Sequence, residues 1–136
     1  MKDQTAFPDV RQFLFENVAT YDELEVLLLL QRRPEVDWTV TTVAQALGLL
    51  ADACQVALEN LAAHGLLCLG ENPRTFRYAP ASKELGEAAE RLQRANGEDR
   101  FAIVQLMTTN AMERVRAAAL DTLGGALQLR DANRLR

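Results

Sequence analysis

Apolar residues recur every three or four positions along most of this chain, and two short stretches break that rhythm. Phe7, Val10, Phe13 and Leu14 are spaced for one face of a short helix that reaches about Val18. Thr20 then stands where an N-cap belongs, with Asp22 and Glu23 in the first turn, where the helix dipole favours anions. The helix predicted from Tyr21 to about Arg33 carries a broad apolar face, Leu24 and Val26 to Leu30, and Pro34 stops it. Val36 to Val40 is short and β-branched, as in a brief strand. One of Thr39, Thr41 and Thr42 caps a second helix, Val43 to Leu47, closed by Gly48. Leu49 to Asp52 is the turn into a third helix, where Cys54, Leu58 and Leu61 fall on one inward stripe and Gly65 marks the end.

The alternation then changes. Leu66 to Leu69 is an apolar strand, Gly70 to Arg74 a dense turn signal, and Thr75 to Ala79 a returning strand, so the pair predicts a hairpin. From Lys83 to Ala95, Leu85, Ala88, Ala89 and Leu92 share one helix side, with Glu84, Glu87, Glu90, Arg91 and Arg94 on the other. Asn96 to Asp99 breaks that helix. Arg100 to Met107 and Met112 to Leu129 follow as two helices around Thr108 to Asn110, or as one kinked helix, and Arg130 to Arg136 is polar and expected to fray.

This order predicts a mainly α chain with a small β-hairpin wing: a winged helix-turn-helix with a helical C-terminal extension. The expected parts are an N-terminal helical arm (residues 1–20), the winged helix-turn-helix domain (21–80) and C-terminal helices for dimerisation (81–136). Two segments carry a family resemblance. Trp38 to Gly48 resembles the second helix and turn of MarR-type and related bacterial regulators. Val56 to Leu67 resembles their recognition helix running into the first wing strand, closing with the L-x-x-x-G-L-L pattern of Leu61 to Leu67. The resemblance covers residues 21 to 80 and implies a transcription regulator whose third helix enters the DNA major groove while the wing touches the backbone or minor groove. It also implies a homodimer, as in many regulators of this shape.

The candidate DNA contacts are Thr41 at the head of the second helix, Gln55 and Asn60 on the third, and Arg74, Thr75 and Arg77 in the wing. Gln and Asn amides pair well with adenine, and the two arginines suit phosphate or the minor groove. A sixty-residue winged helix (a rough count from its boundaries) cannot cover the apolar surface of the C-terminal helices alone. The expected dimer interface is therefore Ile103, Met107, Met112, Val115, Leu123 and Leu127, with the Ala117 to Ala119 run allowing close approach. Folding back of these helices onto their own domain is the competing expectation.

Charge qualifies this picture. The formal net charge is −4, and no Lys or Arg occurs between Arg33 and Arg74, so the third helix shows Asp52 and Glu59 without a basic neighbour. A major-groove helix is flanked by phosphates, where a lone carboxylate meets like charge. Weak or atypical DNA binding is therefore expected. The alternative is a winged helix turned to protein–protein interaction, its acidic third helix meeting a basic partner.

Other chemistries find little support. Of two cysteines, neither sits in a C-x-x-C pair, and there is one His, too few ligands for a structural zinc site. Cys54 and Cys68 are both expected to be buried and inert, and His64 to favour the helix end. No G-x-S-x-G or Gly-rich phosphate loop is present, so neither an enzyme nor a cofactor is expected. The N-terminus has no apolar region of the signal-peptide kind, and Val26 to Leu30 is far too short to span a bilayer. The expectation is a cytoplasmic protein with no membrane partner.

Overall fold

The structure is a computed structural model that describes the backbone of residues 6–71 and 74–134 and the side chains of residues 8–71 and 74–123. Six helices and three strands follow in the order α1 (Ala6–Asn17), α2 (Tyr21–Arg32), β1 (Trp38–Thr39), α3 (Val40–Leu47), α4 (Ala51–Ala63), β2 (Leu67–Leu69), β3 (Thr75–Tyr78), α5 (Lys83–Glu98) and α6 (Arg100–Arg134). The sheet order is β1-β3-β2, antiparallel throughout, with Trp38 opposite Phe76 and Cys68 opposite Arg77. Helix, strand, helix, turn, helix and hairpin in this arrangement make a winged helix-turn-helix.

Caps decide where the helices start. The Thr20 hydroxyl accepts from the Glu23 amide at 3.1 Å, opening α2. At α3 the hydroxyls of Thr39 and Thr42 accept from each other's backbone amides, a reciprocal capping box. Thr39 is thus the cap, and α3 begins at Val40, three residues earlier than its apolar pattern suggests. Gly48 closes the helix in the left-handed region, φ 67°, and Gly65 follows α4 at φ 82°, conformations that disfavour a Cβ.

The expected break at Asn96 to Asp99 shrinks to one residue. α5 runs through Glu98, and Asp99 alone leaves helical geometry, its carboxylate accepting from the Ala102 amide to start α6. α6 itself is unbroken across Thr108 to Asn110 and remains helical to Arg134, beyond the point where fraying was expected. Thr108 returns its hydroxyl to the Val104 carbonyl, sharing a helical acceptor without interrupting the helix, and Asn110 turns its side chain to α1, away from the backbone ladder.

The core joins all the helices. Leu24, Leu27 and Leu30 of α2, Leu58 and Leu61 of α4, Leu92 of α5 and Ile103 of α6 are fully buried in one cluster. α2 packs on α3, α4 and β3, while α1 packs on α5 and α6, so the N-terminal helix and the C-terminal helices form one layer.

At the root of the wing, Gly70 lies against Asp37 and Thr75. A Cβ there would stand 2.2 Å from Thr75 Oγ1 and 2.8 Å from Asp37 Cγ. Gly70→Ala is expected to cost about 1–3 kcal/mol through overpacking, measured by urea unfolding. An unchanged midpoint would mean that the wing relaxes without cost.

Candidate nucleic-acid interface

The chain bends by 113° between α3 and α4. Gly48 to Leu50 makes the turn, with the Leu49 amide donating to the Ala44 carbonyl at 3.1 Å. An angle near 90–120° over a short, Gly-containing turn is the helix-turn-helix geometry. α4 buries Cys54, Ala57, Leu58 and Leu61, which fixes its outer face as Asp52, Gln55, Val56, Glu59 and Ala63, all exposed. Leu50, at the head of α4, is also exposed.

The six sequence-predicted contacts fall into different environments. Thr41 is exposed on α3. Gln55 is exposed and donates its amide to Glu59 one turn on. Asn60 is engaged elsewhere: its Nδ2 donates to Glu23 Oε2 of α2 at 3.2 Å. Thr75 is buried and therefore lost to a ligand, because it pairs with Thr39 in the middle of the sheet and packs under Gly70. Arg74 is exposed at the wing tip. Arg77 donates from Nε to Asp37 Oδ1 at 2.8 Å, and that hydrogen bond, with the Asp37 charge, binds its proton more firmly than usual. Position by position, the outer face of α4 has no cation, and Arg77 of the wing shares a carboxylate.

The predicted dimer set divides in the same way. Ile103 and Met107 are buried in this chain's own core, on the face of α6 turned toward α1 and α5, and so are not available to a partner. Met112, Val115 and Leu123 are exposed, and Leu127 lies outside the described side chains. By the 3.6-residue period, Met112 and Leu123 lie on the opposite face from Ile103 and Met107, as does Phe101, which is 72% exposed, and Val115 lies on the flank between the two faces. A shallow groove lined by Phe101, Val104, Leu106 and Thr108 runs along the same helix. From Val115 to Leu123 every side chain is exposed.

Several working residues escape the sequence reading. Asp37 is the partner of Arg77, which no local spacing indicates, and Glu23, 2% exposed, is more than a first-turn anion. Arg114 donates to the carbonyls of Leu14, Phe15, Val18 and Ala19 and lies over the Phe15 ring, 4.9 Å from its centroid. Arg100 pairs with Glu25 and contacts Tyr21, tying the start of α6 to α2. The phase of Arg114, seven residues from Met107 on the core side of α6, is the signal that could have found it.

Among the described residues, no three His, Cys, Asp or Glu side chains gather as a metal site, and no single helix is long and apolar enough to cross a membrane. His64 takes the C-cap position of α4. Cys54 is buried, and burial, with the Asp22 charge adding, pushes its thiol pKa up. Cys68 corrects the expectation of two buried thiols: β2 is an edge strand, and its outward side leaves this side chain exposed.

Two solved structures are similar to this one. A MarR family protein of Mycobacterium tuberculosis aligns over 88% of this chain and 86% of its own, with 21% identity and a TM-score of 0.49. A MarR family protein of Bacillus stearothermophilus aligns over 86% of each chain, with 18% identity and a TM-score of 0.44. No protein-family model and no curated protein matches the sequence. The class of the chain rests on its own geometry: a winged helix-turn-helix domain braced by a layer of three helices.

The two thiols give a direct check of the wing. A maleimide reagent at neutral pH is expected to modify Cys68 fast and Cys54 only on unfolding, read by peptide mass. Equal rates in the native protein would contradict the placement of β2 and α4.

Proposed function

We propose that the protein is a winged-helix transcriptional-regulator-type protein, a homodimer through α6, with weak or atypical binding of duplex DNA. The observation that carries this reading is the 113° bend between α3 and α4, which leaves the outer face of α4 free of the core. In this reading residues 21–80 meet the nucleic acid, and α1 with the C-terminal helices holds two copies together. Thr41, Gln55 and Arg74 are the contacts the geometry supports, with Arg77 approaching a phosphate while shared with Asp37.

Association through the outer face of α6 is supported by Met112, Val115 and Leu123, which are 62%, 70% and 57% exposed on one helix. Apolar side chains concentrated on one solvated face mark an interaction surface, and a second copy closes it with two-fold symmetry. Ile103 and Met107 are no part of this proposal, being core residues of the chain itself.

A second reading has its own observation. The outer face of α4 pairs Asp52 and Glu59 with the exposed Leu50 and Val56 and has no Lys or Arg. Such a face suits a basic, partly apolar protein surface better than a phosphate backbone.

Fluorescence anisotropy of a labelled random-sequence duplex separates the two. Salt-sensitive binding at low salt is expected, and Arg74→Ala with Arg77→Ala should weaken it and reduce the log–log salt slope by roughly 1–2. No binding even at low salt would favour the protein-interaction reading. For the dimer, Leu123→Asp is expected to halve the mass measured by light scattering while helix content by circular dichroism is kept. A folded variant of unaltered mass would remove α6 as the interface.

A further inference from the structure

The side chains that DNA binding leaves unused include Glu23, Asn60 and Arg114, and they lie in one hydrogen-bonded series. Arg114 of α6 reaches the corner between α1 and α2, where its Nη2 donates to Phe15 O at 2.6 Å and Leu14 O at 3.1 Å, and its Nη1 to Ala19 O at 3.4 Å. The Phe15 carbonyl is one that the end of α1 leaves without a helical partner, while Leu14 O also accepts from the Val18 amide, and a guanidinium fork suits several acceptors at once. The opposite side of the Ala19 residue is held too: its amide donates to Glu23 Oε1 at 3.0 Å. The second oxygen, Glu23 Oε2, accepts from Asn60 Nδ2 on α4 at 3.2 Å.

Each link is demanding. A carboxylate 2% exposed requires donors on both oxygens, because an unpaired buried charge is expensive. The Glu23 backbone is itself fixed by the Thr20 cap. Beside this series, Asn110 of α6 donates to the Arg11 carbonyl at 3.1 Å, and Arg100 pairs with Glu25 of α2, so α6 holds α1 and α2 at separate points. A change in the seat of α6 therefore acts on the Ala19 peptide, and through one carboxylate on the last turn of α4.

We infer that Glu23 is a positioning residue that couples the seat of α6 on the α1–α2 corner to the placing of α4, with Arg114 and Asn60 as its two ends. The inference deepens the proposed function, since it gives the association helix a route to the helix that meets the partner. Asn60 then serves to locate α4 rather than to read a base.

Backbone amide exchange of the full chain tests it without DNA, and the mass of each sample is measured alongside, so failure of the regulator or dimer reading leaves the result interpretable. Arg114→Ala is expected to speed exchange of the α4 amides from Asn60 to His64 by roughly 2- to 30-fold, the range of measured coupling effects. In a Glu23→Gln background, which keeps shape but has a single acceptor oxygen, Arg114→Ala should leave those amides unchanged. Asn60→Ala approaches from the other end through a side chain whose loss the core tolerates, and should speed exchange at Ala19 and Glu23. Exchange in α4 indifferent to Arg114→Ala, or equally altered in both backgrounds, overturns the coupling, as does an Asn60→Ala protein with native exchange at Ala19.

Discussion

α2 must be covered on nearly every side, and the rest of the fold is arranged to do it. Seven of its twelve residues are buried, including Leu24, Val26, Leu27, Leu28 and Leu30, so no single partner could suffice. Each buried aliphatic side chain contributes about 1.5–3 kcal/mol, and α3, α4 and β3 supply the apolar surface against which α2 packs. Of the polar members of the same helix, Glu23 is admitted because both its oxygens are bonded, to Ala19 and Asn60, whereas Gln31 donates to the Tyr78 hydroxyl but keeps a buried Oε1 without a partner. The winged unit thus has its precision from a few hydrogen bonds set into a large apolar contact.

Cations are not scarce on the surface, where Arg32, Arg33, Lys83, Arg91 and Arg94 are exposed, but none lies on the outer face of α4. Arg77, Arg100 and Arg114 are each committed to an internal partner: Asp37, Glu25 and the carbonyls at the end of α1. A guanidinium held this way orders a corner or a strand, but it is less free to neutralise a phosphate. The outer face of α4, with Asp52 and Glu59 exposed, has no cation to offset them. Whatever meets this face must accommodate two carboxylates that no cation of the same face offsets.

Much of the fold was legible because period and punctuation agree. Thr20, Gly48 and Gly65 stand where the helices start and stop, and the Gly70 to Arg74 turn separates two strands that do pair. α6 was harder. Ile103 and Met107 continue a three-to-four spacing, but the step from Met107 to Met112 is five residues, which rotates the apolar stripe to the far side of the helix. Reading both stretches as one surface merged a core face with a solvent face. The site was less legible still, because its decisive contacts are long-range: Asp37 meets Arg77 and Glu23 meets Asn60 across forty and thirty-seven positions. Local spacing has no means of announcing such pairs. Cys68 was misplaced for a related reason: an apolar run does not say that its strand lies at a sheet edge.

The stretch of α6 beyond Arg114, exposed from Val115 to Leu123, also has a mechanical meaning. Beyond the Arg114 clamp about twenty helical residues remain, a rod of roughly 30 Å at 1.5 Å per residue. Such a rod is a lever with its fulcrum at the α1–α2 corner. By the same geometry, a tilt of about 5° at the fulcrum sweeps the free end through roughly 2.5 Å, well over the distance that breaks a hydrogen bond. Run in reverse, a large excursion of the tip arrives at Arg114 as a small, forceful displacement, the kind that a close-packed corner resists until it yields as a unit.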